Sequence, residues 1–261
     1  MHQVRSYLAV IVISLVIVAG GDVHAARAQA EPLSTPAPTL LAQIAQAAAT
    51  LGPDEVDHAL LAATQDHALP DGYVPPDLVS LAAAGIPQRE GASIRRVVFP
   101  DLQGMVQSAQ QDGVELRVSS AYRSYSTQVS TYAFFANTRG SEWADTRSAR
   151  PGHSQHQLGT AIDFNTPGAF AASPAGQWLW LHAHAYGFVF PYTPASAART
   201  GYVFEPWHLR WIGRELAQLI WQQGYQDSSD LIADDYVALA RDALLPRAAV
   251  PTFVGAEDQR G

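Results

Sequence analysis

A histidine and an aspartate that could share a metal ion lie seven residues apart in the stretch Ser-Gln-His-Gln-Leu-Gly-Thr-Ala-Ile-Asp, which ends at Asp163. His156 lies at the end of a polar loop, and Gly159 between the two residues lets the backbone pass close to an ion. Zinc accepts imidazole nitrogen and carboxylate oxygen, and a catalytic zinc site combines three protein ligands with a water. On its own, however, a histidine near an aspartate is more often a surface hydrogen bond.

A second motif, Glu-Pro-Trp-His, places Glu205 three residues before His208. Because side chains alternate along an extended strand, a bulge or a turn at Pro206 must bring the two onto one side. This pair suits a metal ligand and a general base that approach the same water. Zinc lowers the pKa of a bound water to about 7, and a neighbouring carboxylate can then accept its proton.

A third motif, Ser-Ser-Ala-Tyr-Arg-Ser-Tyr, carries Arg123 at a predicted strand-to-helix junction, and Gln128 follows it. The planar guanidinium of an arginine binds a carboxylate or a developing oxyanion at two points. An arginine in this position is otherwise usually solvated or caps a helix. The three motifs are therefore informative chiefly in combination.

The apolar pattern predicts a mixed chain of helices and strands around these motifs. Ser173-Pro174 is typical of a helix start, and Gly187 of a helix end. Residues 138–155 are predicted to form a loop. The predicted helices are one or two short ones within 40–67, then 100–112, 124–137, 174–186 and 213–224; the predicted strands are 114–118, 160–164, 188–190 and part of 203–212.

In their order along the chain, which begins with the Arg123 motif, the three motifs resemble those of the VanY-type zinc D-alanyl-D-alanine carboxypeptidases, which are LAS-type peptidoglycan metallopeptidases with the hedgehog/DD-peptidase fold. The resemblance covers roughly residues 70–225 and departs at Thr160, where the family more often has an apolar residue. The matching residues are Tyr122, Arg123 and Ser124, then Ser154, His156, Gly159, Ala161 and Asp163, then Glu205, Pro206, Trp207 and His208.

The resemblance implies an α+β fold in which a small antiparallel sheet with flanking helices carries one zinc site. It implies that His156, Asp163 and His208 hold the zinc ion. It further implies that Glu205 is the general base and that Arg123 stabilises the tetrahedral oxyanion.

The implied reaction is removal of the terminal D-alanine from peptidoglycan stem peptides. Ser154 and Gln128 match positions that contact substrate, while Trp207 either lines the substrate site or packs in the core. An endopeptidase or an L,D-carboxypeptidase of the same fold remains an alternative. A cell-wall-binding module without catalysis is a further alternative, although such a module would not need Glu205.

Two residue types are missing from the 261 residues, and each absence excludes a class of enzyme. All 16 basic residues are arginine, so the serine–lysine nucleophile of penicillin-binding enzymes cannot form. No cysteine is present to act as a nucleophile or a metal ligand. The formal net charge of −8 argues against nucleic acid as a partner. As a separate expectation, the protein is a monomer.

The N-terminus predicts export to the cell wall or periplasm. Arg5 precedes an apolar run at 7–19, and small-x-small triplets end at Ala25 and Ala30. An uncleaved membrane anchor is the alternative. The predicted organisation is a signal peptide or anchor at 1–30, a linker and helical spacer at 31–70, the zinc peptidase domain at 71–225, and at 226–261 a tail with one short helix and a disordered end.

Overall fold

The structure is a computed structural model, and it describes residues 38–52, 60–89, 91–164, 169–227 and 232–244. The predicted signal peptide lies outside these ranges. Within them, no helix has the length and apolar character needed to cross a membrane.

The strands of the described residues form two antiparallel sheets. One is a pair, β1 (Leu78–Ser80) and β2 (Ser93–Arg95). The other has four strands in the order β3-β4-β6-β5, namely β3 (Val118–Ser120), β4 (Ala161–Phe164), β5 (Phe188–Val189) and β6 (His208–Trp211). All its pairs are antiparallel, which confirms the α+β fold with a small antiparallel sheet.

The register of this sheet brings two of the sequence motifs together. In the β4–β6 pair, Asp163 lies opposite His208. In the β3–β4 pair, Ser120 lies opposite Asp163 after a register shift. Because directly opposite residues in an antiparallel pair are close neighbours, the sheet alone places the aspartate beside one histidine.

Helices surround the sheet, and several begin and end where the sequence predicts. Ser173 caps the helix at 174 by accepting a hydrogen bond from the backbone N–H of Gly176. The α-helix ends at His182, and a 3₁₀ turn, Ala183–Tyr186, follows it and ends at Gly187. In the part of the chain that the structure describes, the α-helices are α1 Leu40–Ala48, α2 Phe99–Gln111, α3 Tyr125–Arg139, α4 Ser141–Asp145, α5 Pro174–His182, α6 Ala197–Thr200, α7 Arg214–Gln222 and α8 Ala233–Leu244.

Two local predictions are wrong. The predicted strand 114–118 contributes only Val118 to the sheet, because the N–H of Val114 bonds to the carbonyl of Ala109 at the end of α2 (2.8 Å) instead of to a neighbouring strand. The predicted loop at 138–155 contains α4, a short helix that starts directly after Gly140.

One hydrophobic core joins the sheet to both ends of the described chain. Phe164 of β4 and Leu209 of β6 belong to the same buried cluster as Ile44 of α1 and Tyr236 of α8. Helix α1 packs against both α7 and α8. Burying one large apolar side chain contributes about 1.5–3 kcal/mol, so the segments outside 71–225 add to the stability of the same core.

Candidate metal centre and active site

His156 lies beside Asp163 and His208, which face each other on β4 and β6, the two central strands of the four-stranded sheet. They offer ligand atoms that all lie within 4.8 Å of one another. Nε2 of His156 is 3.2 Å from one oxygen of Asp163, and Nδ1 of His208 is 2.9 Å from the other. The three predicted ligands are thus brought together in a geometry that one metal ion could share.

Gly159 allows the turn that presents His156. His156 lies in a 3₁₀ turn, Gln155–Leu158, which ends in the left-handed conformation at Gly159 (φ 70°). A β-carbon there would lie 2.9 Å from Cγ of Arg95 and 3.1 Å from Cδ2 of Leu78. Glycine is therefore required twice, for the backbone angle and for the close approach of β1 and β2.

The outer nitrogens of both histidines have fixed partners. Nδ1 of His156 is 2.7 Å from the carbonyl oxygen of Ala121, and Nε2 of His208 is 3.0 Å from Oε1 of Gln155. Both partners are acceptors, so these nitrogens carry the hydrogens and the opposite nitrogens face the centre. The Tyr192 ring stacks on His208 at 5.0 Å. Outer contacts of this kind orient metal-binding histidines.

The charge states of the cluster also suit a divalent cation. Burial lowers the pKa of His208 below its usual value, which favours the neutral imidazole that binds metals. Burial raises the pKa of Asp163, but contact with His156 and His208 outweighs this effect and holds the pKa well below its usual range. Two imidazoles and one carboxylate form a donor set that fits zinc.

Glu205 reaches the same centre through a turn rather than a bulge. The N–H of His208 bonds to the carbonyl of Glu205 (3.1 Å), so Pro206 and Trp207 form the two central residues of a tight turn. Burial, together with the charge of Asp163, raises the pKa of the Glu205 carboxyl to about 8. A cation bound next to it would favour the ionised form and lower this pKa.

Arg123 lines the cavity that opens over this centre and is held there by three hydrogen bonds. Its N–H bonds to the carbonyl of His156 (3.1 Å), while Nη1 donates to Oε1 of Gln128 (3.0 Å) and Nη2 donates to Oγ of Ser120 (3.1 Å). Burial lowers the pKa of Arg123, whereas the charges of Asp163 and Glu205 raise it. These contacts fix the guanidinium in the wall of the cavity that Asp163 and Glu205 also line.

Gln128 lies behind Arg123 and does not line the cavity. Its side chain is fully buried, and Nε2 donates to Oγ of Ser148 (3.3 Å) and to the carbonyl of Ala149 (2.5 Å). Gln128 is therefore not placed to contact a substrate, as the resemblance suggested, and instead positions Arg123.

A cavity of about 1070 Å³ opens over the cluster. Ser154 and Trp207, the two other residues that the sequence suggests as substrate contacts, both line this cavity. Ser154 also accepts a hydrogen bond from the N–H of His156 (3.3 Å), and Trp207 also packs against the core. The charged and histidine side chains that line the cavity are Arg89, Arg117, Arg123, Arg147, His156, Asp163, Glu205 and His208.

Sequence reasoning missed Gln155 and Tyr192, which both contact His208. Gln155 lies inside the first motif, but an amide has no metal-binding pattern of its own. Tyr192 lies in a segment without a recognisable motif. Only the folded chain shows that both contact this predicted ligand.

Comparison with known proteins identifies the family. Residues 91–214 match the family model described as VanY: D-alanyl-D-alanine carboxypeptidase. YodJ of Bacillus subtilis, named as a candidate carboxypeptidase, is 32% identical over 189 residues, which cover 69% of this chain and 67% of YodJ.

Two solved structures share the fold. One is a VanY D,D-pentapeptidase mutant from a VanB-type resistance cassette in complex with Zn(II); it has a TM-score of 0.58 and 29% identity and covers 69% of this chain and 98% of its own. The other is the LD-carboxypeptidase LdcB, with a TM-score of 0.59 and 31% identity, covering 71% of this chain and 87% of its own. The family inferred from the three motifs is confirmed: the chain belongs to the VanY family of D-alanyl-D-alanine carboxypeptidases.

Proposed function

We propose that this chain is a zinc-dependent carboxypeptidase that removes the terminal D-alanine from peptidoglycan stem peptides. The observation that carries the proposal is the convergence of His156, Asp163 and His208 within 4.8 Å, at the base of a cavity that also exposes Glu205 and Arg123. This constellation supplies three ligands, a base and an oxyanion partner in one place.

His156 would hold the zinc ion through Nε2, Asp163 through its carboxylate, and His208 through Nδ1, because these atoms face one another. When bound, zinc supplies Lewis acidity, which polarises the scissile carbonyl and makes water a better nucleophile at neutral pH. Ala121 and Gln155 hold the outer nitrogens of the two histidines, so the ligands are oriented before the metal arrives.

Glu205 accepts the proton that the attacking water loses as its oxygen bonds to the peptide carbon. The same proton then passes to the leaving amine when the carbon–nitrogen bond breaks, so the carboxylate is regenerated and D-alanine leaves as the free amino acid. Arg123 stabilises the negative charge that develops on the carbonyl oxygen. Because Gln128 and Ser120 already fix its guanidinium, little reorganisation is needed in the transition state.

The D,D preference follows the description of the family model, while the name of LdcB shows that an LD-carboxypeptidase shares the fold. The test uses purified protein loaded with zinc and two defined muropeptides. One is a pentapeptide ending in D-Ala-D-Ala, and the other is the tetrapeptide with a single terminal D-alanine. We expect mass spectrometry to show loss of one alanine from the pentapeptide.

Glu205→Gln is the matched control, since it removes the base with little change in shape. Cleavage of the tetrapeptide alone would instead assign an L,D-carboxypeptidase, and an internal cut would assign an endopeptidase. A protein that binds zinc and peptide but cleaves neither substrate would be a binding module.

We also propose that the enzyme is exported and acts at the cell wall or in the periplasm, with a membrane tether if the N-terminal segment is retained. The charge before the apolar run and the two small-x-small triplets support this placement. A monomer remains our expectation for its oligomeric state.

A further inference from the structure

The first turn of helix α8 lies behind the metal centre, although α8 begins after the last residue matched by the family model, 214. Oδ1 of Asp234 is 3.4 Å from Nε2 of Gln155. Oε1 of the same Gln155 amide is 3.0 Å from Nε2 of His208. A line of contacts therefore connects α8 to a proposed zinc ligand through one amide.

The orientation of that amide decides which nitrogen of His208 is free for a metal. An amide has an acceptor end and a donor end of nearly equal size, so Gln155 could fill its space either way round. With its oxygen towards His208, Nε2 carries the hydrogen and Nδ1 presents a lone pair. With its NH₂ group towards His208, Nε2 must accept, and the hydrogen moves to Nδ1, the atom that faces Asp163.

Asp234 selects between these two orientations. An ionised carboxylate only accepts hydrogen bonds, so it requires the NH₂ end of Gln155 and turns the oxygen towards His208. Burial raises the pKa of Asp234, and Arg210 opposes this shift and favours the ionised form, because Nη1 of its buried guanidinium is 3.4 Å from the same carboxylate oxygen. Arg210 and His208 are two residues apart on β6 and therefore face the same side of the sheet.

Helix α8 is itself held in place by contacts that do not involve the metal centre. Tyr236 and Val237 are buried in the core. Asp235, the neighbour of Asp234, pairs with Arg199 through two hydrogen bonds (2.5 and 2.8 Å) and accepts one from the N–H of Ile232 (2.7 Å). Asp235 thus docks the helix, whereas Asp234 points to Gln155.

From these contacts we propose that Asp234 is a positioning residue that fixes the metal-binding tautomer of His208 through Gln155. The inference rests on the proposed function in that His208 must bind the metal through Nδ1. It gives the C-terminal helix a role in zinc binding and not only in the stability of the core.

The experiment compares Asp234→Ala with Asp235→Ala, measuring zinc affinity by competition with a chelator. Changes in the outer contacts of a metal site typically weaken binding about 10- to 100-fold. We expect zinc affinity to fall about tenfold in Asp234→Ala and to stay unchanged in Asp235→Ala. Thermal unfolding of the metal-free proteins measures how much each substitution lowers the stability of the fold. In nitrogen-15 spectra of the metal-free protein, the fraction of His208 that carries its hydrogen on Nε2 should fall only in Asp234→Ala.

A rescue variant separates the tautomer argument from general damage. In Gln155→Glu/Asp234→Ala, a carboxylate at position 155 accepts from Nε2–H without help and gives Arg210 a counter-charge, so zinc affinity should return towards wild type. If Asp234→Ala does not fold, Asp234→Asn takes its place under the same criterion. Equal affinity losses in the two single variants, no loss in either, or no rescue would overturn the inference.

Failure of the proposed function would look different. In that case the wild-type protein would bind no zinc through His208, or would bind zinc and leave stem peptides intact. A wild type that binds zinc and cleaves stem peptides, with Asp234→Ala unchanged in affinity and in the His208 signal, would remove only the role of Asp234.

Discussion

Replacing Gln128 by leucine tests how Arg123 is held ready for catalysis. Gln128 is fully buried and accepts a hydrogen bond from Nη1 of Arg123 at 3.0 Å. Leucine has a similar size but no polar atoms. We expect the variant to lose peptidase activity although position 128 does not line the cavity.

The size of the loss follows from the contacts. A hydrogen bond to a charged group is worth about 1.5–3 kcal/mol, and Ser120 still holds the other arm of the Arg123 guanidinium. Since about 1.4 kcal/mol corresponds to a tenfold change in rate, we expect kcat/KM to fall roughly 10- to 100-fold. The carbonyl of Ala149 also loses its amide partner, and an unpaired buried acceptor costs about 1–3 kcal/mol of folding stability.

The assay is steady-state hydrolysis of a D-Ala-D-Ala pentapeptide, run at a temperature where every variant is folded. Gln157→Leu is the matched control, because Gln157 is equally buried and donates to the carbonyl of Tyr73 (3.0 Å) without contacting Arg123. A double-mutant cycle with Arg123→Lys adds the decisive comparison. If Gln128→Leu reduces activity as much in the Arg123→Lys background as in the wild type, Gln128 does not act through Arg123 and the reasoning is refuted.

Four further outcomes follow from the site and the sequence. His208→Ala should lose bound zinc and activity together; elemental analysis showing full zinc occupancy in this variant would contradict the ligand assignment. Glu205→Gln should keep its zinc but lose turnover by about 10² or more, mainly in kcat, whereas a near-normal kcat would mean that another group takes the proton. Activity should persist in penicillin and stop with a chelator, because the chain has no lysine to activate a serine; a stoichiometric penicilloyl adduct with loss of activity would reverse this assignment. Exported protein should begin after Ala25 or Ala30, while N-terminal sequencing that finds Met1 would indicate an anchor.

The parts of the site that the sequence predicts are those encoded over short distances. Gly159 and Asp163 follow His156 within one turn and one strand, so their spacing is compatible with a shared site and becomes informative together with the other motifs. The same holds for Glu205 and His208, where the sequence demanded a bulge or turn and the structure has a turn. Their joint pattern identified the family, and the family implied the antiparallel sheet that pairs Asp163 with His208.

The parts that could not be predicted depend on contacts between distant segments. The alternation of Val114, Leu116 and Val118 predicts a strand, but Val114 completes the end of α2, and alternation does not reveal which backbone partner is available. In the same way, nothing near Asp234 indicates a link to Gln155, which is 79 residues away in the chain. Periodicity and motifs report local preference, whereas these contacts are decided by how the core packs.

The charges that line the cavity explain how an acidic protein can take up an anionic peptide. The chain carries a formal net charge of −8, yet its cavity is lined by four arginines against two carboxylates, and a zinc ion would add two further positive charges. Asp163 is engaged by the two histidines, which leaves Glu205 as the one carboxylate there whose proton can move during the reaction. A cavity of opposite sign to the rest of the surface concentrates field lines at its mouth and attracts an anionic group to it. Since guanidinium groups stay protonated throughout the physiological pH range, this attraction persists at any pH where Glu205 can act as a base.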